Sequence, residues 1–313
     1  MGEIKSLLEI GGVLRVDTVS RSFYITSAFS AGGIAKILQL TEKSLEEPLV
    51  ICINKRIDVL NLAEEFPEPA YHASGAFWPG ALNLILKSKE KTPQILSGGK
   101  PYLIFNFPEC KEMRELIAAA ERPIALCETG CRESQRDELV DRVVKIGGTP
   151  FQESTTVSFV DPQNPLLISE GAVSEAALRS IVGPLLRSTL PFVDFWADLP
   201  ESKPYRTPLF VTEKDSMFFD PSGTSGKVGV LTFGACAKES SQFFLNKTLS
   251  ASENMCEAAQ NFYETLREMD DSGCNSIIIE TLPERDLGMK INAKLRKIGM
   301  DMNKFALLMN EAD

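Results

Sequence analysis

The chain has 313 residues, 43% hydrophobic and 24% charged, with a formal net charge of −10. That length suits two domains of ordinary size, each with its own core, and the composition excludes a disordered chain. The acidic balance argues against gripping RNA by bulk electrostatics, so no stable nucleic-acid binding is expected. His72 is the only histidine, which excludes His-based triads within the chain and multi-histidine metal sites. No apolar run approaches the roughly 18–20 residues that span a bilayer, so no membrane association is expected. The first residues lack the apolar core of a signal peptide. Gly2 and Ser6 fit a loose myristoylation pattern, but Ile4, Leu7 and Leu8 read better as one helix face. The seven cysteines are scattered and lack paired metal-ligand spacing, so reduced thiols in a cytoplasm are expected, with no metal site.

In chain order, Ile4–Glu9 reads as a short helix stopped by Gly11-Gly12, and Val13–Val19 as a strand. Ile34, Ile37 and Leu38 follow at helical spacing, and Leu49–Ile53 is a compact apolar strand after Pro48. Asp58–Glu65 suggests another helix before a loop at Phe66–Pro69. Pro79-Gly80 then punctuates the chain, and Leu82, Leu84 and Leu86 alternate with Asn83 and Ile85 as a strand should. Lys87–Thr92 reads as a charged turn, Tyr102–Phe107 as a strand, and Cys110–Ala120 as a helix. Ile124–Cys127 reads as a strand and Glu138–Ile146 as a helix closed by Gly147-Gly148. Strands at Thr155–Val160 and Leu166–Ser169 lead to a helix capped by Ser174. This mixture predicts an α/β domain over 1–183.

Residues 184–226 change character, with Pro191, Pro200, Pro204, Pro208 and Pro221 interleaved with Phe192, Phe195, Trp196 and Tyr205. A linker that long is rarely idle, and its aromatics imply packing. A second domain is expected over 227–313: the strand Val228–Phe233, an amphipathic helix through Ala259, Phe262, Tyr263, Leu266 and Met269, the strand Ile277–Ile279, and a helix through Ile291, Leu295 and Ile298. That order predicts a small Rossmann-like layer. Gly223–Lys227 hints at a phosphate loop but fails on spacing and lacks the preceding strand.

The run Phe77-Trp78-Pro79-Gly80-Ala81-Leu82-Asn83-Leu84-Ile85-Leu86 resembles a hallmark of the YrdC-like family, which contains the threonylcarbamoyl-AMP synthases of tRNA modification. Farther along, Ala258–Tyr263, Leu266-Arg267, Asp270, Leu282-Pro283, Leu287-Gly288 and Leu295–Lys297 resemble the C-terminal domain of the two-domain synthases. Arg267, Asp270 and Gly288 are not needed for periodicity. The resemblance implies a twisted α/β domain with a concave face, followed by a Rossmann-like domain.

The resemblance also implies a site, in altered form. The family's P-T-x-T-V-Y-G-L falls on Asp17–Tyr24, so Thr18 survives and Ser20 keeps a hydroxyl. Its K-x-R falls on Thr41-Glu42-Lys43, where the first cation is lost and a Lys replaces the planar Arg. The R-x-P strand becomes Asn106-Phe107-Pro108, and S-x-N becomes Glu128-Thr129-Gly130. The family's S-T is matched by Ser154-Thr155, and its later Arg is Ser169. In the linker, Lys203–Pro208 loosely resembles a basic-aromatic clasp. Lys43 is therefore the implied catalytic cation, and Thr18, Ser20, Thr41, Asn106, Glu128, Ser154, Thr155 and Ser169 the implied substrate and nucleotide contacts.

Scaffold positions persist while several phosphate-holding groups are absent, and losing one such group typically costs about 2.7–4 kcal/mol of transition-state stabilisation. Two readings follow. One is a synthase that joins threonine, bicarbonate and ATP, with magnesium, into threonylcarbamoyl-AMP and pyrophosphate in the cytoplasm. The alternative is a non-catalytic relative that binds a nucleotide, a small carboxylated ligand or a protein partner.

Overall fold

Apolar residues at strand and helix spacing build two separate units in the computed structural model, Met1–Ser202 and Lys203–Asp313. The structure describes residues 2–129, 137–147, 153–200, 205–213, 227–234 and 243–302.

The first unit begins with α1 (Gly2–Glu9), β1 (Leu14–Asp17), β2 (Ser22–Ser27), α2 (Ala31–Leu40) and β3 (Val50–Cys52). It continues with α3 (Glu68–Phe77), β4 (Leu82–Lys87), β5 (Tyr102–Asn106), α4 (Lys111–Ala120) and β6 (Ile124–Glu128). It ends with β7 (Arg142–Lys145), β8 (Thr155–Ser158), β9 (Leu166–Ser169), α5 (Glu175–Val182), β10 (Leu186–Arg187) and α6 (Phe192–Asp198). The ten strands form one mixed sheet in the order β10-β9-β8-β4-β5-β3-β6-β2-β1-β7. One of its faces is covered in two places. α1 and α4 pack over Leu14, Phe23, Ile25, Cys52, Ile124 and Leu126 through Leu8, Met113 and Ile117. α6 packs Trp196, Phe192 and Phe195 onto Ile85, Ile104 and Ile168.

Four local readings change. Asp58–Glu65 is no α-helix: Arg56–Asn61 is a short 3-10 turn, because Asp58 accepts the Lys55 N–H and gives its own to the Lys55 carbonyl, an i to i+3 closure. The expected loop at Phe66–Pro69 instead starts α3, since Pro69 stands in the first turn, where no N–H is required. Ser22–Ser27, unassigned in the sequence, is β2, held between β1 and β6. Glu138–Ile146 contains the edge strand β7 rather than a helix. Its Val143 and Val144 suit a strand, β1 offers an open edge, and Asp141 clamps the entry by exchanging bonds with the Val13 backbone.

The proline- and aromatic-rich stretch 184–226 divides between the units rather than standing apart. β10 and α6 belong with the first sheet, where Lys100 donates through Nζ to the carbonyls of Ala197 and Leu199 and Trp196 through Nε1 to Ser97 at 3.3 Å. Phe192, Phe195 and Trp196 find their apolar partners there. The phosphate-loop candidate lies outside the described residues except for Lys227.

In the second unit β11 (Leu209–Thr212), β12 (Val228–Thr232) and β13 (Leu245–Thr248) precede α7 (Met255–Asp271), β14 (Ser276–Glu280), α8 (Asp286–Ile298) and β15 (Met300–Asp301). The strands are all parallel, in the order β13-β12-β14-β11-β15. Asn254 caps α7 by accepting the Glu257 N–H, and the helix buries Ala259, Phe262, Leu266 and Met269. This is the Rossmann-like layer expected, extended by β11, β13 and β15.

Candidate functional site

Residues paired across neighbouring strands share a sheet face. The register therefore sets Ser169, Thr156, Asn83, Asn106, Cys52 and Ile124 in one row across six strands. Cys52 and Ile124 lie in the core under α1 and α4, so the whole row is on the face that carries α1, α4 and α6. Glu128 shares that face, two and four positions beyond Leu126 and Ile124 on β6 and opposite Phe23. The rest of the face is largely apolar, and this polar row with Glu128 at the strand's far end is its chemical content.

Asn106 is fully buried. Its Nδ2 faces the Gly80 carbonyl at 3.4 Å, the Leu82 carbonyl at 3.1 Å and Asn83 Oδ1 at 3.0 Å. Asn83 in turn donates to Thr156 Oγ1 at 3.3 Å. The Trp78 indole N–H also donates to the Leu82 carbonyl, at 2.7 Å, so the Pro79-Gly80 turn is pinned from both sides. Gly80 is required there: a Cβ would stand 2.4 Å from the Phe77 carbonyl oxygen. Asn106 Oδ1 is buried and has no partner.

At the other end of the face, Arg21 Nε stands 3.7 Å from Glu128 Oε1, with side chains 46% and 50% exposed. Thr18 closes the β1–β2 connection: its Oγ1 donates to the Arg21 carbonyl at 2.7 Å and accepts from Ser20 N and Arg21 N. Ser20 is exposed on that turn. Thr18, Ser20, Arg21 and Glu128 are thus brought together.

Thr41 is buried at the end of α2 and donates to the Ile37 carbonyl at 3.0 Å, closing the last turn. Lys43 Nζ pairs with Glu47 Oε2 at 3.1 Å. Burial alone would raise the Glu47 carboxyl, but the Ser44 N–H and the Lys43 ammonium together hold it below the usual carboxylate range. Thr155 is buried and tied elsewhere: its Oγ1 donates to the Val173 carbonyl and accepts from Gly171 N and Val173 N, shaping the turn after β9. It points away from the row that contains its neighbour Thr156. Ser154 is half-buried just before it, and Ser169 closes the row opposite Thr156. Gly130 lies outside the described residues. Cys52 is a core thiol whose burial pushes its pKa up.

Asn83, Thr156 and Arg21 are members of the face that sequence reasoning missed. Asn83 was the one polar break in an apolar strand, and Arg21 a cation in an otherwise hydroxyl-rich segment; both signals were available.

Two family profiles match in series. The Sua5/YciO/YrdC profile, described as "Telomere recombination", matches residues 6–169. The chain belongs to this family. The profile "Threonylcarbamoyl-AMP synthase, C-terminal domain" follows at residues 203–298. The chain is 25% identical over 299 residues to a threonylcarbamoyl-AMP synthase of Pyrococcus abyssi, covering 87% of this chain and 85% of that protein. It is 24% identical over 302 residues to one of Bacillus subtilis, covering 87% and 84%. The crystal structure of Pyrococcus abyssi Sua5 complexed with L-threonine shares the fold, with a TM-score of 0.53, 21% identity and coverage of 95% and 93%.

The family resemblance read from Phe77–Leu86 and Ala258–Lys297 is therefore correct, and both α/β layers are those of a two-domain Sua5-type protein. Within the C-terminal domain, Arg267 and Asp270 have clear structural uses. The Arg267 guanidinium lies 4.6 Å over the Tyr205 ring, and the Asp270 carboxylate accepts Arg206 N at 3.0 Å and Thr207 N at 2.7 Å. The described part of the linker clasp is thus fastened to α7 of its own unit. Gly288 packs within reach of the Pro283 carbonyl, where a Cβ would stand 2.1 Å away.

Proposed function

We propose that this protein is a threonylcarbamoyl-AMP synthase of the two-domain type, supplying threonylcarbamoyl-AMP for tRNA modification in the cytoplasm. The supporting observation is the match in series of both domain profiles, 6–169 and 203–298, alongside relatives of that name aligned over 87% of the chain. The reaction joins the threonine amine to the carbon of bicarbonate, then a carboxyl oxygen to the α-phosphorus of ATP. Pyrophosphate leaves with both its bridging electrons, and one water is lost from bicarbonate.

In this reading the substrates lie across the polar row and the Arg21–Glu128 end. Arg21 supplies the cation nearest the β1–β2 turn, and Lys43 a second one once it parts from Glu47. The Ser20 hydroxyl, exposed on the β1–β2 turn, offers a neutral hydrogen-bonding group beside them. In this reading a magnesium ion enters on the ATP phosphates. There it would neutralise charge on the phosphates. A triphosphate lying at the Arg21–Glu128 end would meet the Glu128 carboxylate, which would weaken ATP binding.

Among the described residues no helix is long and apolar enough to cross a membrane. The test is release of pyrophosphate by the full chain with ATP and magnesium, with threonine and bicarbonate each omitted in turn. Release that requires both is expected. Threonine binding without any release would identify a binding protein that keeps the fold and overturn the synthase reading.

A further inference from the structure

We propose that Glu47 is a built-in counter-anion that holds Lys43 in reserve, so that a nucleotide phosphate reaches the Lys43 ammonium only by displacing the Glu47 carboxylate. This rests on the synthase reading above, in which Lys43 is the second cation of the nucleotide site. It gives Glu47 a positioning role that acts through Lys43.

The turn after α2 keeps that carboxylate in place. Ser44-Leu45-Glu46-Glu47 has the S-x-x-E spacing in which the acid reaches back to the backbone three residues earlier. Glu47 Oε1 accepts the Ser44 N–H at 2.8 Å, and the Ser44 carbonyl accepts the Glu47 N–H at 3.3 Å. Leu45 is buried and anchors the turn in the core, and just beyond it Leu49 N donates to the Leu96 carbonyl at 3.0 Å. Gly98, at φ +65°, lies against the Glu46 carbonyl, where a Cβ would stand 2.1 Å from the oxygen. The other carboxylate oxygen, Oε2, meets Lys43 Nζ at 3.1 Å, the one ion pair of that ammonium among the described residues. Both side chains are about one-third exposed, 34% for Lys43 and 33% for Glu47.

The two duties of Glu47 separate chemically. The Ser44 N–H needs only an acceptor, and a carboxamide oxygen supplies one as a carboxylate does. The negative charge is spent on Lys43. A carboxylate already fixed by its turn has little rotamer freedom left to lose, so this pair forms at less entropic cost than one between two mobile surface chains. Any phosphate that takes the ammonium must first offset that pair.

The test compares magnesium-ATP affinity by calorimetry and melting temperature in the full chain for the wild type, Glu47→Gln, Lys43→Gln and the double variant. Glu47→Gln keeps the acceptor for Ser44 and removes the charge. It is expected to bind magnesium-ATP about fivefold more tightly, the effect of one partly exposed ion pair, while its melting temperature near neutrality falls. The gain should vanish when Lys43 is replaced as well. A carboxylate that served the turn alone would lower the melting temperature and leave affinity where it was. Equal affinity in the wild type and Glu47→Gln, with pyrophosphate release intact, would overturn the proposal and leave the synthase reading standing. A gain that persists in the Lys43→Gln background would overturn it too, because the charge would then act elsewhere. Absence of magnesium-ATP binding in both the wild type and Glu47→Gln would overturn it together with the synthase reading.

Discussion

Replacing Glu128 by serine is the most informative single change. The carboxylate and its partner Arg21 are each about half exposed, 50% and 46%, at 3.7 Å. A pair so exposed contributes about 0–1 kcal/mol, so Glu128→Ser should leave thermal stability within a few degrees. Its effect on a triphosphate is larger. Two unit charges 4 Å apart repel by about 4 kcal/mol at an effective dielectric of 20, and by about 1 kcal/mol in water. Half exposure places Glu128 nearer the lower figure, so a gain of about 1–2 kcal/mol is expected, a factor of about 5–30 in affinity. Removing the carboxylate also frees Arg21 to face the phosphates. Calorimetry of magnesium-ATP with the wild type and Glu128→Ser measures this directly. An affinity unchanged by the substitution would place Glu128 outside the nucleotide site and refute the assignment of this end of the face.

Asn106→Ala removes the amide that faces Gly80, Leu82 and Asn83 inside the sheet, and should lower stability by about 2–3 kcal/mol in chemical denaturation. Thr41→Lys should fail to strengthen ATP binding, because Thr41 is buried and closes α2, and should lower the melting temperature instead. Trp196→Ala should cost about 3–5 kcal/mol, since α6 docks through it; a smaller loss would mean that α6 is held by Lys100 alone. Glu47 is held below its ordinary range, so the stability it contributes is complete above the unfolded carboxylate value and is lost as pH falls through the lower folded value. Stability of Glu47→Gln should therefore converge with that of the wild type in acid and fall below it near neutrality, as read from melting temperature against pH.

Much of this architecture could be read from the chain because its signals are local. The cap at Ser174, the apolar face of α7 and the alternation of Leu82–Leu86 each specify an element without help from distant residues. The failures share a cause. β7 carries a sequence that suits a helix nearly as well, and only the free edge of β1 and the Asp141 clamp decide between them. α6 looked like linker because its aromatics serve Ile85, Ile104 and Ile168, roughly a hundred residues earlier in two of the three cases, and partnership at that distance leaves no trace in local spacing.

The candidate site was legible only as positions, because a polar side chain carries the same letter whether it waits for a ligand or holds the scaffold. Thr18, Thr41 and Thr155 were all placed among ligand contacts, and each spends its hydroxyl on a nearby backbone: the β1–β2 turn, the end of α2 and the turn after β9. Lys43 is held by Glu47. Asn106 also serves the scaffold, since its nitrogen secures the Pro79-Gly80 turn and its unpaired oxygen is sealed inside the sheet. Taking away the groups with scaffold duties leaves Arg21, Glu128 and the exposed Ser20 hydroxyl as the chemistry this end of the face can direct at a substrate. Two of those three are substitutions in the family pattern and the third stands in a turn where the pattern carries no cation. In the synthase reading we propose, recognition of ATP would rest first on the balance between Arg21 and Glu128, with Lys43 joining once it parts from Glu47.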